Sequence, residues 1–285
     1  SISLKIIINR LMKVFSLVNP GLSKIAKIEL GELGASKLVV NEEVIEFSLA
    51  DEKYLLHLIS HTQSLRRILV AIDKYKDVSE LKLSNFVFSD FFSSGMSMKI
   101  EVENVKGQDN RTTIARTVGE KIFTALDKAG IKDCHVDYKN PDVLIVVYQM
   151  VENYYVGIDP CVEELDAREY RVFPHPASFK GDLAYSILRF SGYIPGEKLL
   201  IGFVKDGTLA IEAGIFAKEK KVRACSLGKF QFFKNIKIEA QINTKNIKIN
   251  AFDESQQNIT AARKNAALAG VKDLVDIQKF SLDEL

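Results

Sequence analysis

The segment from His175 to Gly214 limits the possible folds more than any other. Leu183, Ile187 and Leu188 recur at helical spacing up to a stop near Gly192, and Pro195-Gly196 makes a turn. A short apolar strand, Leu199-Leu200-Ile201, follows, then a loop carrying Gly207, then an apolar helix from Leu209 to Phe216. Strand, loop and helix in that order build the phosphate or nucleotide cradle of an open α/β sheet, where a helix N-terminus and bare backbone N–H groups face a ligand. The chain before Arg171 reads as apparatus delivering something to this segment, and the chain after it as the domain that the segment opens.

At 285 residues the chain can bury two or three separate cores. Its formal charge is only +2, so any basic surface must be local. Cys134, Cys161 and Cys225 are isolated, which argues against a zinc site or a disulfide framework and fits a reduced cytoplasmic compartment. No apolar run approaches the ~20 residues that cross a bilayer, so no membrane association is expected. Residues 1–11 are expected to be either a leader or an extra edge strand, because Met12-Lys13-Val14-Phe15-Ser16-Leu17 looks like a chain start entering a first strand.

From there the order is β-α-β-β-α-β. Val14 to Val18 is a strand stopped by Asn19-Pro20-Gly21, and Leu22 to Leu33 is a helix with Gly34 as its C-terminal stop. Lys37 to Val40 and Val44 to Ser48 are strands, Asp51 caps the helix Tyr54 to Ser60, and Ser64 to Ile72 is a strand opening near Arg66 and Arg67. This order predicts a ferredoxin-like unit over residues 12–76, which names no function by itself. Asp77 to Phe92 is expected to be a helical linker whose phenylalanines pack the joint between two domains. A second α/β module follows, with a strand Met98 to Val102, a helix from Thr112 to Ala129, and strands Val143 to Tyr148 and Tyr154 to Ile158. Lys99, Lys106, Arg111, Arg116 and Lys139 surround its loops and helix start, where a helix dipole favours phosphate.

Asn19-Pro20-Gly21-Leu22, the Arg116 helix, and Lys139-Asn140-Pro141-Asp142-Val143 closing on Tyr155-Val156-Gly157-Ile158-Asp159 resemble the THUMP-containing RNA-modifying enzymes. The resemblance implies a THUMP RNA-binding domain over residues 77–160, a linker over 161–174, and RNA, typically tRNA, as partner. Arg66, Arg67, Lys99, Lys106, Arg111, Arg116, Lys139 and Asn140 are the candidate RNA contacts, and phosphate contact makes such binding salt-dependent.

His175-Pro176-Ala177-Ser178-Phe179-Lys180 narrows the resemblance to THUMP proteins fused to a guanine-N2 methyltransferase domain, nearest the archaeal tRNA guanine-N2 methyltransferases. That family carries a similar His-Pro-Ala segment, a strand ending in Asp-Pro-x-Cys-Gly-Ser-Gly-Thr, and a helix with Ile-Glu-Ala, matched here by Gly207, Thr208, Ile211, Glu212 and Ala213. It implies S-adenosylmethionine as cofactor, with Ser178, Phe179, Gly207, Thr208 and Asp253 as candidate contacts. Asp253, closing the strand Ile247 to Asp253, has two readings: a ribose-diol acceptor or a cap on the next helix, a role Ser255 can also fill. Cys225 to Ile236 resembles the family's aromatic-basic connector, and Lys218 to Lys237 forms a basic stretch that either extends an RNA surface or is solvated.

The departures are as informative. Ile201, Gly202, Val204, Lys205 and Asp206 stand where the family has Asp, Pro, Cys, Gly and Ser. A lysine at the glycine position crowds the methyl donor unless it swings aside, and its charge opposes a sulfonium. The family's Asn/Asp-Pro-Pro-aromatic motif does not occur in the 285 residues. The expectation is therefore the N-terminal half of a Rossmann-type methyltransferase domain over residues 175–285, degenerate and truncated. Either a second chain completes its sheet, or the protein is a non-catalytic RNA-binding scaffold unable to bind the cofactor. His175, between two prolines, is expected to be a rigid turn rather than a catalytic base.

Overall fold

The structure, a computed structural model, describes residues 11–84, 86–222, 230, 248–281 and 283. The expected leader up to residue 10, Cys225 and the connector with Lys229, Lys234 and Lys237 lie outside them. The N-terminal elements follow the expected alternation: β1 (Met12–Leu17), α1 (Ser23–Glu32), β2 (Ser36–Asn41), β3 (Val44–Leu49), α2 (Glu52–His61) and β4 (Arg67–Tyr75). Asp51 accepts hydrogen bonds from the Lys53 and Tyr54 amides at the start of α2, and Gly34 takes a left-handed turn (φ 91°) past the end of α1. The second module contributes β5 (Ser97–Glu103), α3 (Gln108–Lys128), β6 (His135–Val136), β7 (Val143–Met150) and β8 (Asn153–Asp159).

These two modules share one eight-stranded sheet, in the order β2-β3-β1-β4-β8-β7-β5-β6. The seam is the antiparallel pairing of β4 with β8. Gly157 makes it possible, since a Cβ there would lie 2.7 Å from Phe15 Cε1 and 2.9 Å from the Val70 carbonyl oxygen. One face of the sheet carries the three helices over a continuous core that includes Val14, Ile45, Leu58, Val118, Ile145 and Val156. A smaller cluster of Phe15, Leu17, Leu69, Leu144, Val146, Tyr148 and Tyr155 lies on the opposite face.

Two expectations fail here. The expected helix over residues 77–92 is not formed; among their described residues only Val78–Glu80 and Phe88–Asp90 form single 3-10 turns. Leu81, Phe88, Phe91 and Phe92 recur at helical spacing, yet all four reach the shared core from an irregular run. The phenylalanines do pack the joint between the modules, as anticipated. Helix α3 begins at Gln108 after Gly107 (φ 85°), a turn earlier than Thr112, whose hydroxyl donates back to the Gln108 carbonyl. Its open N–H groups therefore precede Arg111.

The C-terminal part holds α4 (Gly181–Phe190), β9 (Leu199–Ile201), α5 (Thr208–Lys218), β10 (Ile249–Asp253), α6 (Gln256–Leu268) and β11 (Val275–Lys279). Its strands form a parallel sheet ordered β11-β10-β9. Helix α5 is apolar on every side because it packs against α4, α6, β10 and β11. No described helix is long and apolar enough to cross a membrane.

Candidate functional site

The strand-loop-helix unit is present where the sequence places it. After β9, Phe203 and Lys205 both adopt left-handed conformations (φ 52° each) and Gly207 a third (φ 87°) before α5 starts. Gly207 lets the loop touch α6, since a Cβ there would lie 3.0 Å from Ala262 Cβ. Lys205 thus stands in the left-handed region that favours glycine.

Inside the loop each amide from Val204 to Thr208 donates to an atom of the protein. Val204 N donates to the Phe252 carbonyl (3.0 Å) and Gly207 N to the Val204 carbonyl (2.8 Å). Lys205 N donates to Asp253 Oδ2 (2.9 Å), Asp206 N to Ser178 Oγ (3.4 Å) and Thr208 N to Asp206 Oδ1 (3.2 Å). Lys205 Nζ reaches across to the Ala177 carbonyl oxygen at 2.7 Å. Asp206 is fully buried, and its Oδ2 accepts from Arg171 Nε (3.0 Å) and the His175 amide (3.1 Å). Burial works against its charge, but hydrogen bonds from Ser178, Thr208 and the His175 amide hold the carboxyl below the usual range.

Asp253 anchors the loop from the other side. Its Oδ1 accepts from the Ser255 amide (2.9 Å) and Asn258 Nδ2 (3.0 Å), in addition to the bond from Lys205 N. Ser255 caps α6 by accepting from the Asn258 amide. Phe179 is exposed, Ser178 half-buried, and Thr208 buried with its hydroxyl on Asp206 Oδ1 (2.8 Å).

Two residues to which the sequence reading gave no role at the site matter here. The carboxamide of Asn265, wholly buried, accepts from Phe173 N (3.1 Å) and donates to the Phe173 and Asp206 carbonyls (3.0 and 2.9 Å). Glu212 joins three parts of the chain: Arg168 Nε (2.7 Å), the Tyr170 hydroxyl (2.6 Å) and Gln63 Nε2 (2.7 Å) all donate to its carboxylate. Gln63 N in turn donates to Glu29 on α1 (2.7 Å). A glutamate inside an otherwise apolar helix, and an asparagine on the alanine face of α6, were the available signals.

The candidate RNA contacts do not form one cluster. Arg66 pairs with Glu103 (2.6 Å) and Glu164 (2.7 Å); Arg67, only 4% exposed, pairs with Asp159 (2.8 Å) and Glu103 (3.0 Å). Arg67 opens β4 and Arg66 precedes it, and both guanidinium groups are held by these internal carboxylates. Lys99 is half-buried near Glu101 on the face of β5 away from α3. Lys106, Arg111 and Arg116 are exposed along the first half of α3 and the loop before it. Lys139 and Asn140 are exposed in a turn whose amides both donate to Asp137. Because β7 runs parallel to β5, that turn lies at the far end of β5 from Lys106, about 20 Å away at a strand's rise per residue.

Among the described residues, no three His, Cys, Asp or Glu side chains gather to hold a metal ion. His57 and His61 lie side by side on α2 with ring centroids 4.2 Å apart; burial and then repulsion from His61 lower the pKa of His57.

Residues 168–285 match the family UPF0020, RMKL-like, methyltransferase domain. Similarity to curated proteins extends over both halves. The tRNA (guanine(6)-N2)-methyltransferase of Archaeoglobus fulgidus is 24% identical, over 96% of this chain and 71% of that protein. The tRNA (guanine(6)-N2)-methyltransferase of Methanocaldococcus jannaschii is also 24% identical, over 93% of this chain and 74% of its own length. Among solved structures, a putative methyltransferase complexed with SAH superposes with a TM-score of 0.75 at 17% identity, covering 96% of this chain and 77% of that one. The fold is thus a mixed α/β fold shared with methyltransferase structures.

Proposed function

We propose that this chain is an RNA-binding member of the S-adenosylmethionine-dependent RNA guanine-N2 methyltransferase family, with tRNA as its RNA. In this reading residues 12–76 form a ferredoxin-like domain, residues 77–160 a THUMP domain, and residues 175–285 part of a Rossmann-type methyltransferase domain. The observation that carries it is the extent of similarity to tRNA methyltransferases, which runs through 96% of the chain rather than through the methyltransferase part alone. The element order β-α-β-β-α-β at the start and the parallel β11-β10-β9 sheet at the end support the same division.

The RNA surface in this proposal is α3 with Lys106, Arg111 and Arg116, together with the turn at Lys139 and Asn140. Arg66 and Arg67 have no part in it, because their guanidinium groups are taken up by internal carboxylates. A span of about 20 Å between the two patches suits the width of a duplex stem rather than a single phosphate. Gel-shift titration with tRNA tests it. Arg116→Glu combined with Lys139→Glu is expected to weaken binding at least about tenfold at low salt. Unchanged affinity would count against the assignment.

A further inference from the structure

We infer that the loop from Gly202 to Gly207 is a locked joint rather than a ligand cradle, and that Lys205 with Asp206 closes it to S-adenosylmethionine. A cradle of this type works through amides aimed outward at its ligand. Here all five amides from Val204 to Thr208 donate to the protein itself. The residues present therefore do not fit the cofactor that the fold family implies.

The closure comes from two of the five positions at which the chain departs from the family pattern, Lys205 and Asp206. Three bonds cross between the loop and the preceding His175 to Ser178 segment: Lys205 Nζ to the Ala177 carbonyl (2.7 Å), His175 N to Asp206 Oδ2 (3.1 Å), and Asp206 N to Ser178 Oγ (3.4 Å). The side chains of Lys205 and Asp206 make the first two. Lys205 also sits in a left-handed conformation that disfavours a side chain by roughly 1–2 kcal/mol. Its bonds to Asp253 and Ala177 offset that strain, whereas a glycine would relieve it and lose the strap.

Electrostatics act in the same direction. The methyl donor is a sulfonium cation, and an ammonium fixed at the mouth repels it. Asp253, the candidate ribose acceptor, is 5% exposed and already accepts three hydrogen bonds. The clefts beside this segment open elsewhere: one of 590 Å³ is walled by Val172 to Pro174 and α6, and one of 470 Å³ by Pro174 to Pro176 and the start of α6. Neither includes a residue from Gly202 to Gly207 in its wall.

Isothermal titration of the full chain with S-adenosylmethionine and S-adenosylhomocysteine tests the inference. The wild type is expected to give no binding heat with either. Lys205→Gly is expected to gain at least about tenfold in affinity for both, equal to about 1.4 kcal/mol. Lys205→Met removes the charge and the strap but keeps the bulk, and is expected to gain less. If Lys205→Gly unfolds, the methionine variant decides. Wild-type binding that Lys205→Gly changes by less than about twofold overturns the inference, and so does a folded glycine variant that gains nothing. The inference uses the fold reading above only to locate the loop. Loss of the tRNA-binding claim in gel shifts leaves this titration independent of it.

Discussion

Arg168 and Arg116 carry the same guanidinium into opposite surroundings. Arg168 is enclosed between the two halves of the molecule, where Glu212 faces it and burial alone would disfavour its charge. Arg116 stands in solvent on α3. The first charge is bound up in the architecture, whereas the second is available to a partner. The comparison separates basic residues that build the molecule from the solvent-exposed ones that the proposed function assigns to RNA, and Arg66 and Arg67 fall on the building side.

The sharpest way to break that contrast is Glu212→Ala. It leaves the Arg168 guanidinium buried without its carboxylate and is expected to destabilise the fold by about 3–5 kcal/mol, read as a lowered urea midpoint. Arg67→Ala is next: it strands Asp159, whose carboxyl burial already pushes upward, and is expected to cost roughly 3 kcal/mol. The Arg116→Glu and Lys139→Glu pair should leave the urea midpoint unmoved while lowering tRNA affinity. A fall in stability comparable to that of Glu212→Ala would move those residues to the structural class. The smallest effect is acid dependence at Asp206. Because its folded pKa is depressed, its contribution is complete above the unfolded value of about 3.9 and disappears as pH falls through the lower folded value. Asp206→Asn should flatten the unfolding midpoint against pH in that acid window only.

The same contrast explains what the sequence could convey. Periodicity and caps are local signals, so the Asp51 cap, the Gly34 stop, the alternation of β1 to β4 and the strand-loop-helix unit were all legible. Partners far apart in sequence were not. Nothing near Arg66 announces Glu103 or Glu164, and nothing near β4 announces that β8 will extend its sheet. The run from Asp77 to Phe92 misled because Leu81, Phe88, Phe91 and Phe92 recur at helical spacing although they fill the joint from an irregular segment. At the site, the substitutions Lys205 and Asp206 were visible as departures, but their bonds to Ala177 and His175 exist only once the chain has folded back.

The weld around Glu212 has a consequence for the proposed binding of RNA. Arg168, Tyr170 and Gln63 converge on one carboxylate, and the bidentate contact of Arg189 with Glu32 (2.7 and 2.8 Å) braces α4 to α1 nearby. Two such braces predict a ruler rather than a hinge. In the proposed complex, the spacing between a stem on α3 and the C-terminal sheet is then set by the protein, and any adjustment of length or bend has to come from the nucleic acid.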